Sequence, residues 1–69
     1  MNVVGSNVKK IREIKKLTQN ELVAKCHLLN LNISRSTLAK IESKVRRVTD
    51  EEVFLLAQSL NVKIEELFE

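Results

Sequence analysis

Ser34-Arg35-Ser36-Thr37-Leu38-Ala39-Lys40-Ile41-Glu42, with the basic run Lys44-Val45-Arg46-Arg47 behind it, is the stretch that decides the fold. Wound at about 100° per residue, it divides into two faces. Leu38, Ile41 and Val45 gather within about 60° on one side and are expected in the core. Arg35, Ser36, Ala39, Lys40 and Ser43 spread over about 140° on the other. Cations, hydroxyls and one methyl on a single outward face suit the base edges and backbone of a duplex major groove.

The segments around this helix read as helices too. Val4, Val8 and Ile11 recur at spacings of four and three, with Ile14 and Leu17 continuing along the edge, and predict a first helix over about 3–16. Thr18-Gln19-Asn20-Glu21 is a capping box: the Thr18 hydroxyl reaches the backbone amide three residues on, and Glu21 reaches back. It opens a second helix over about 18–29, with Leu22, Val23, Cys26 and Leu29 as its apolar stripe. Asn30 and Asn32 bracket its stop, since asparagine tolerates the left-handed backbone that ends helices. Ser34 or its neighbour caps the third helix, over about 34–43. Thr49-Asp50-Glu51-Glu52 is a second capping box and starts a fourth helix over about 50–60, whose acids suit the positive end of the helix dipole. Ile64-Glu65-Glu66-Leu67-Phe68 forms a last short helix over about 63–68, with Leu67 and Phe68 closing the core.

Composition agrees with one all-α, compact five-helix domain over residues 1–69. The chain has no proline, one glycine, and is rich in Leu, Lys and Glu. A single cysteine excludes an internal disulfide and points to a reducing, cytoplasmic compartment. Cys26 and His27 are neighbours, but two ligands do not make a metal site; a buried inert thiol and a surface histidine are expected instead. No apolar run approaches membrane-spanning length, and the first residues lack a signal-peptide pattern, so no membrane role is expected. Only Phe54 and Phe68 are aromatic, which leaves no stacking platform for single-stranded nucleic acid or RNA bases.

Charge is unevenly placed. Residues 1–48 hold eleven Lys/Arg against Glu13, Glu21 and Glu42, a balance of +8, whereas residues 49–69 hold Lys63 against six acids, a balance of −5. A basic front with an acidic rear suits a polyanion bound on one side. No nucleophile, base and orienting group combine, and so small a chain has little room for a substrate cavity; neither an enzyme nor a small-molecule site is expected, and no cofactor.

Leu17-Thr18-Gln19, Glu21-Leu22, Ser34-Arg35-Ser36-Thr37-Leu38, Ile41-Glu42, Leu56-Ala57 and Leu60-Asn61-Val62 together resemble the Cro/XRE family of phage-repressor-like helix-turn-helix proteins. The resemblance runs from about residue 4 to 68, with several short motifs in the same order. It implies double-stranded DNA as partner, a transcriptional regulator acting as a repressor, and a symmetric homodimer on an inverted repeat. By the same resemblance Arg35, Ser36 and Lys40 read bases, with Ser34 and Thr37 at the groove edge. Gln19 and Thr18, at the start of the second helix, then bind phosphate, as do Ser43, Lys44, Arg46 and Arg47 in the loop after the reading helix. Arg12 and Glu42 match a structural ion pair that ties the first helix to the end of the third.

Three features depart from the family pattern. The turn between the second and third helices, Cys26–Ile33, is about five residues longer than usual. It is expected to extend the second helix by about a turn and re-enter the core through Ile33. Lys16 stands where glycine is common, and Ser43-Lys44 where Asn-Gly is frequent. A protein-interaction module of the same fold, binding a partner through its apolar rear, is the alternative reading. In the family the dimer surface lies near the last two helices, which makes Phe54, Ile64 and Phe68 candidates for it and equally for core.

Overall fold

The computed structural model describes residues 2–69. Its elements are α1 (Gly5–Ile14), α2 (Gln19–Leu28), α3 (Arg35–Glu42), α4 (Asp50–Leu60) and a 3-10 turn (Ile64–Leu67). Among the described residues there is no strand, so the all-α reading holds. The fifth element is a single 3-10 turn rather than an α-helix, and the expected helices are trimmed by up to two residues at an end. No helix is long and apolar enough to cross a membrane.

The starts of α2, α3 and α4 follow the capping residues. Thr18 Oγ1 accepts from the Glu21 amide at 3.1 Å while Glu21 Oε1 accepts from the Thr18 amide at 2.8 Å. The same reciprocal pair forms between Thr49 and Glu52, at 3.1 and 3.0 Å. Ser34 Oγ accepts from the Thr37 amide at 3.0 Å. Such caps satisfy amides that a helix leaves without partners, each worth about 1 kcal/mol.

The four α-helices stop in one way, but without the residue that usually serves it. Each is followed by a residue with positive φ: Lys16 at 59°, Asn30 at 64°, Lys44 at 68° and Asn61 at 57°. The next amide then folds back onto a carbonyl five residues earlier, Leu17 to Arg12, Leu31 to Cys26, Val45 to Lys40 and Val62 to Ala57, at 2.9–3.1 Å. This is the Schellman termination, which glycine normally serves because it has no Cβ to crowd. None of the four ends uses glycine.

These stops meet one of the sequence expectations and overturn another. Asn30 ends α2 at Leu28, one residue short of the expected end, and the connection from there to Ser34 places Leu31 and Ile33 in the core, 7% and 6% exposed, as expected of Ile33. Lys44 breaks the helical rotation after Glu42, so Val45 leaves the Leu38/Ile41 stripe and stands 75% exposed. Ile14, on the last turn of α1, is also exposed, while Ile11 and Leu17 pack against the core. At the other end Leu67 is fully buried, while Phe68 points outward.

The core gathers Val4 and Val8 of the first helical segment, Leu22 and Cys26 of α2, Leu38 and Ile41 of α3, and Leu56 and Leu60 of α4, all at or near zero exposure. Burying each of the larger ones stabilises the fold by about 1.5–3 kcal/mol before the entropy of ordering is counted. Cys26 donates to Ser59 Oγ at 3.5 Å, and burial pushes its thiol above the ordinary range, so it stays protonated at neutral pH. His27 is on the helix surface, its Nε2 2.8 Å from the Ile33 carbonyl, which ties α2 to the segment that leads into α3.

At Gly5 the backbones of α1 and α3 come close together. A methyl group there would overlap the carbonyl oxygen of Ile41 and lie 2.9 Å from Asn2 Nδ2. Asn2 stitches the same junction. Its Oδ1 accepts from the Val4 and Gly5 amides at 3.1 and 2.7 Å, and its Nδ2 donates to the Ile41 and Arg46 carbonyls at 2.8 and 3.0 Å. The sequence carries one hint of this crossing, a lone glycine at the start of a helix in a chain that uses none at its turns.

Candidate nucleic-acid interface

The eight residues of α3 have no acid until the last, Glu42, and Glu42 faces inward. Leu38 and Ile41 are fully buried, and Arg35, Ser36 and Lys40 are exposed on the opposite side, with Thr37 and Ala39 half-buried between. The two-faced reading of this helix therefore stands up to Glu42. Ser34 Oγ donates to Thr37 Oγ1 at 3.1 Å, so these two hydroxyls are partly occupied with each other at the helix start.

What aims the helix is a buried ion pair. Arg12 Nε donates to Glu42 Oε2 at 2.7 Å and Arg12 Nη2 to Glu42 Oε1 at 3.2 Å, while Arg12 Nη1 donates to the Leu17 carbonyl at 2.7 Å. Both residues are under a tenth exposed. The hydrogen bond to Glu42 is the main reason the guanidinium is held above its ordinary pKa, against the burial that opposes its charge. This bidentate fork fixes the end of α3 against α1 and against the lead-in to α2.

Gln19 completes the network. Its Nε2 donates to Glu42 Oε1 at 3.0 Å, so in this conformation the side chain braces the strut. The first turn of α2 still leaves amides outside the helical ladder beside it. Thr18 is exposed, with its hydroxyl serving the cap.

The loop behind α3 holds its cations in two ways. Arg46 forks onto Glu52, Nη1 to Oε1 at 3.0 Å and Nη2 to Oε2 at 2.9 Å, and Nη1 also donates to the Arg47 carbonyl at 2.8 Å. It ties the loop to the start of α4, a partner that spacing alone did not reveal. Lys44 and Arg47 are exposed without ion-pair partners among the described residues. Ser43 is exposed, its hydroxyl donating to the Lys40 carbonyl at 3.3 Å.

The Arg46 hydrogen bond, aided by Thr49, holds the Glu52 carboxyl below the ordinary carboxylate range. A depressed folded value stabilises the fold fully above the unfolded value of about 4.3, and that contribution is lost as pH falls through the folded one. Urea titrations between pH 7 and 3 should therefore show an acid-side loss of stability that Glu52→Gln reduces. An unchanged acid limb would show that the Arg46–Glu52 pair contributes nothing.

Asn2 and Gly5 belong to this site although neither faces outward, because both set where α3 ends. Side-chain patterning is silent about them, since their partners are backbone atoms.

No curated protein and no solved structure matches this chain. A family model described as Helix-turn-helix matches residues 8–67, nearly the whole chain, and covers all four helices and the 3-10 turn except the first residues of α1. With the Leu17-Thr18-Gln19 start of α2 and the exposed face of α3, that match makes this a DNA-binding regulatory domain, and the chain belongs to the Cro/XRE-type helix-turn-helix family.

Proposed function

We propose that this protein is a sequence-specific transcriptional repressor that reads the major groove of double-stranded DNA with α3. The observation that carries the reading is the placement of Arg35, Ser36 and Lys40 on the exposed face of a helix whose other face is locked into the core. Arg35 and Lys40 have the donors to pair with O6 and N7 of guanine, and Ser36 is a versatile, undemanding reader. Ser34 and Thr37 stand at the groove edge. Thr18 and Gln19, through the start of α2, and Ser43, Lys44 and Arg47 in the loop supply sequence-independent contacts to phosphate. Arg46 positions that loop through Glu52 and reaches phosphate only by exchanging its partner.

A single reading helix covers few base pairs, so two copies act on an inverted repeat about one helical turn in span. Phe54 and Phe68, about half exposed, and Ile64 are the apolar side chains available for pairing them. Repression follows from occupying an operator and needs no cofactor.

Selection of bound sites from a random duplex pool, followed by gel shifts on the selected site, tests this. Arg35→Ala should relax base preference at one position by about 1–3 kcal/mol, whereas Arg47→Ala should weaken all sequences alike and flatten the salt dependence. If Arg35→Ala leaves affinity and preference intact, α3 does not read bases. Tight binding to a protein with no salt-sensitive duplex binding would favour an interaction module instead.

A further inference from the structure

Four of the residues on the outward face of α3 end in polar groups, and one does not. Arg35, Ser36, Lys40 and Ser43 are exposed and bring donors, and Ser43 already commits its hydroxyl to the Lys40 carbonyl. Ala39 brings a bare methyl, half-buried within the same face. At about 100° per residue it stands about 40° from Arg35 on one side, and about 40° and 60° from Ser43 and Ser36 on the other. Residues three and four apart on a helix are surface neighbours, so these three side chains ring the methyl. Its direction depends on no rotamer, because the backbone alone places a Cβ. That backbone is held. The Ala39 carbonyl accepts from the Ser43 amide at 3.0 Å, and Glu42, three residues on, is locked by Arg12.

We infer that Ala39 is a specificity residue whose methyl packs on the C5-methyl of a thymine in the major groove. The inference rests on the reading of α3 as the helix that enters that groove, and it adds a base that the polar readers leave unassigned. Alanine offers nothing to a phosphate oxygen or to the polar edges of guanine, cytosine and adenine. Pressing it on them would displace their water without replacing its hydrogen bonds. Thymine alone adds a methyl to its major-groove edge, so contact there takes apolar surface out of water on both sides. Arg35, one turn earlier, has the donors for guanine, so neighbouring positions of α3 distinguish two bases by different chemistry.

The test uses the full chain and the duplex selected from the random pool. Each thymine in turn is replaced by deoxyuridine, which deletes the C5-methyl and keeps every hydrogen-bonding group. One position in the half-site should lose affinity about three- to fivefold, the effect of one buried methyl. The salt dependence should stay as it is, since no phosphate contact changes. In Ala39→Gly the difference between thymine and deoxyuridine at that position should fall below about 1.5-fold. Ala39→Ser, which a helix tolerates better than glycine, sets a hydroxyl against the methyl and should bring the difference below about twofold. Thermal melting checks that each variant folds. Absence of any methyl-sensitive thymine would overturn the assignment. So would a sensitivity that persists at full size in both variants, as it would if the Thr37 methyl were the reader. Absence of sequence-selective duplex binding by the unaltered protein would instead overturn the functional reading beneath it.

Discussion

Glu42→Ala is expected to remove about 3–5 kcal/mol of folding stability, measured as the urea midpoint followed by helical circular dichroism. The carboxylate accepts two bonds from Arg12 and one from Gln19, and both members of the ion pair are almost out of solvent. Truncation strands a buried cation whose remaining partner is a single carbonyl. A domain of this size has only about 3–10 kcal/mol in hand, so the variant should be largely unfolded at moderate temperature. The double substitution Arg12→Met with Glu42→Leu should recover much of the loss, since well-packed apolar side chains can replace a buried pair at little cost. It should not restore full duplex binding, because the fork that orients the end of α3 is gone. A loss below about 1 kcal/mol in Glu42→Ala would place the pair among weak surface bridges and would undo the case for a strut.

Gly5→Ala carries the second large effect, and its sign opposes helix propensity. Alanine exceeds glycine by about 1 kcal/mol inside a helix, so propensity alone predicts a gain. At Gly5 the added methyl meets the backbone carbonyl of Ile41, which no rotamer change can move aside. Separating α1 from α3 also loosens Asn2 from the Ile41 carbonyl. The net result should be destabilisation of about 1–3 kcal/mol, a drop in melting temperature of roughly 4–8 °C per kcal/mol, with weaker duplex binding. A rise in melting temperature would show that the two helices can part without penalty.

The sequence made some of these features legible and hid others, for physical reasons. Thr18 with Glu21 and Thr49 with Glu52 were readable because a capping box is a contact between residues three apart. Leu38 and Ile41 were readable because periodicity reports a buried face. Val45 was misread by the same method, which assumes that the helical rotation continues; a left-handed Lys44 stops it with a residue that seldom adopts that conformation. The end of α2 was readable, because asparagine accepts the left-handed backbone that stops a helix and Asn30 adopts it, with Ile33 returning to the core beyond it. The Arg12–Glu42 pair came from family resemblance, since nothing local joins residues thirty apart. Partners such as Glu42 for Gln19 and Glu52 for Arg46 depend on how α2 and α4 are packed, which no spacing rule encodes.

Asn2 joins two places that would otherwise behave independently. Chain ends and the last turns of short helices normally open locally at little free-energy cost, well before the core does. Here one side-chain amide holds the first turn of α1 and, with its other half, the last turn of α3 and the loop beyond. Opening of the first turn of α1 must release the exit of α3, and motion of that exit must release that turn. Two segments from the weak end of the stability scale are thereby merged into one cooperative unit, and α3 borrows its steadiness from a residue that precedes α1.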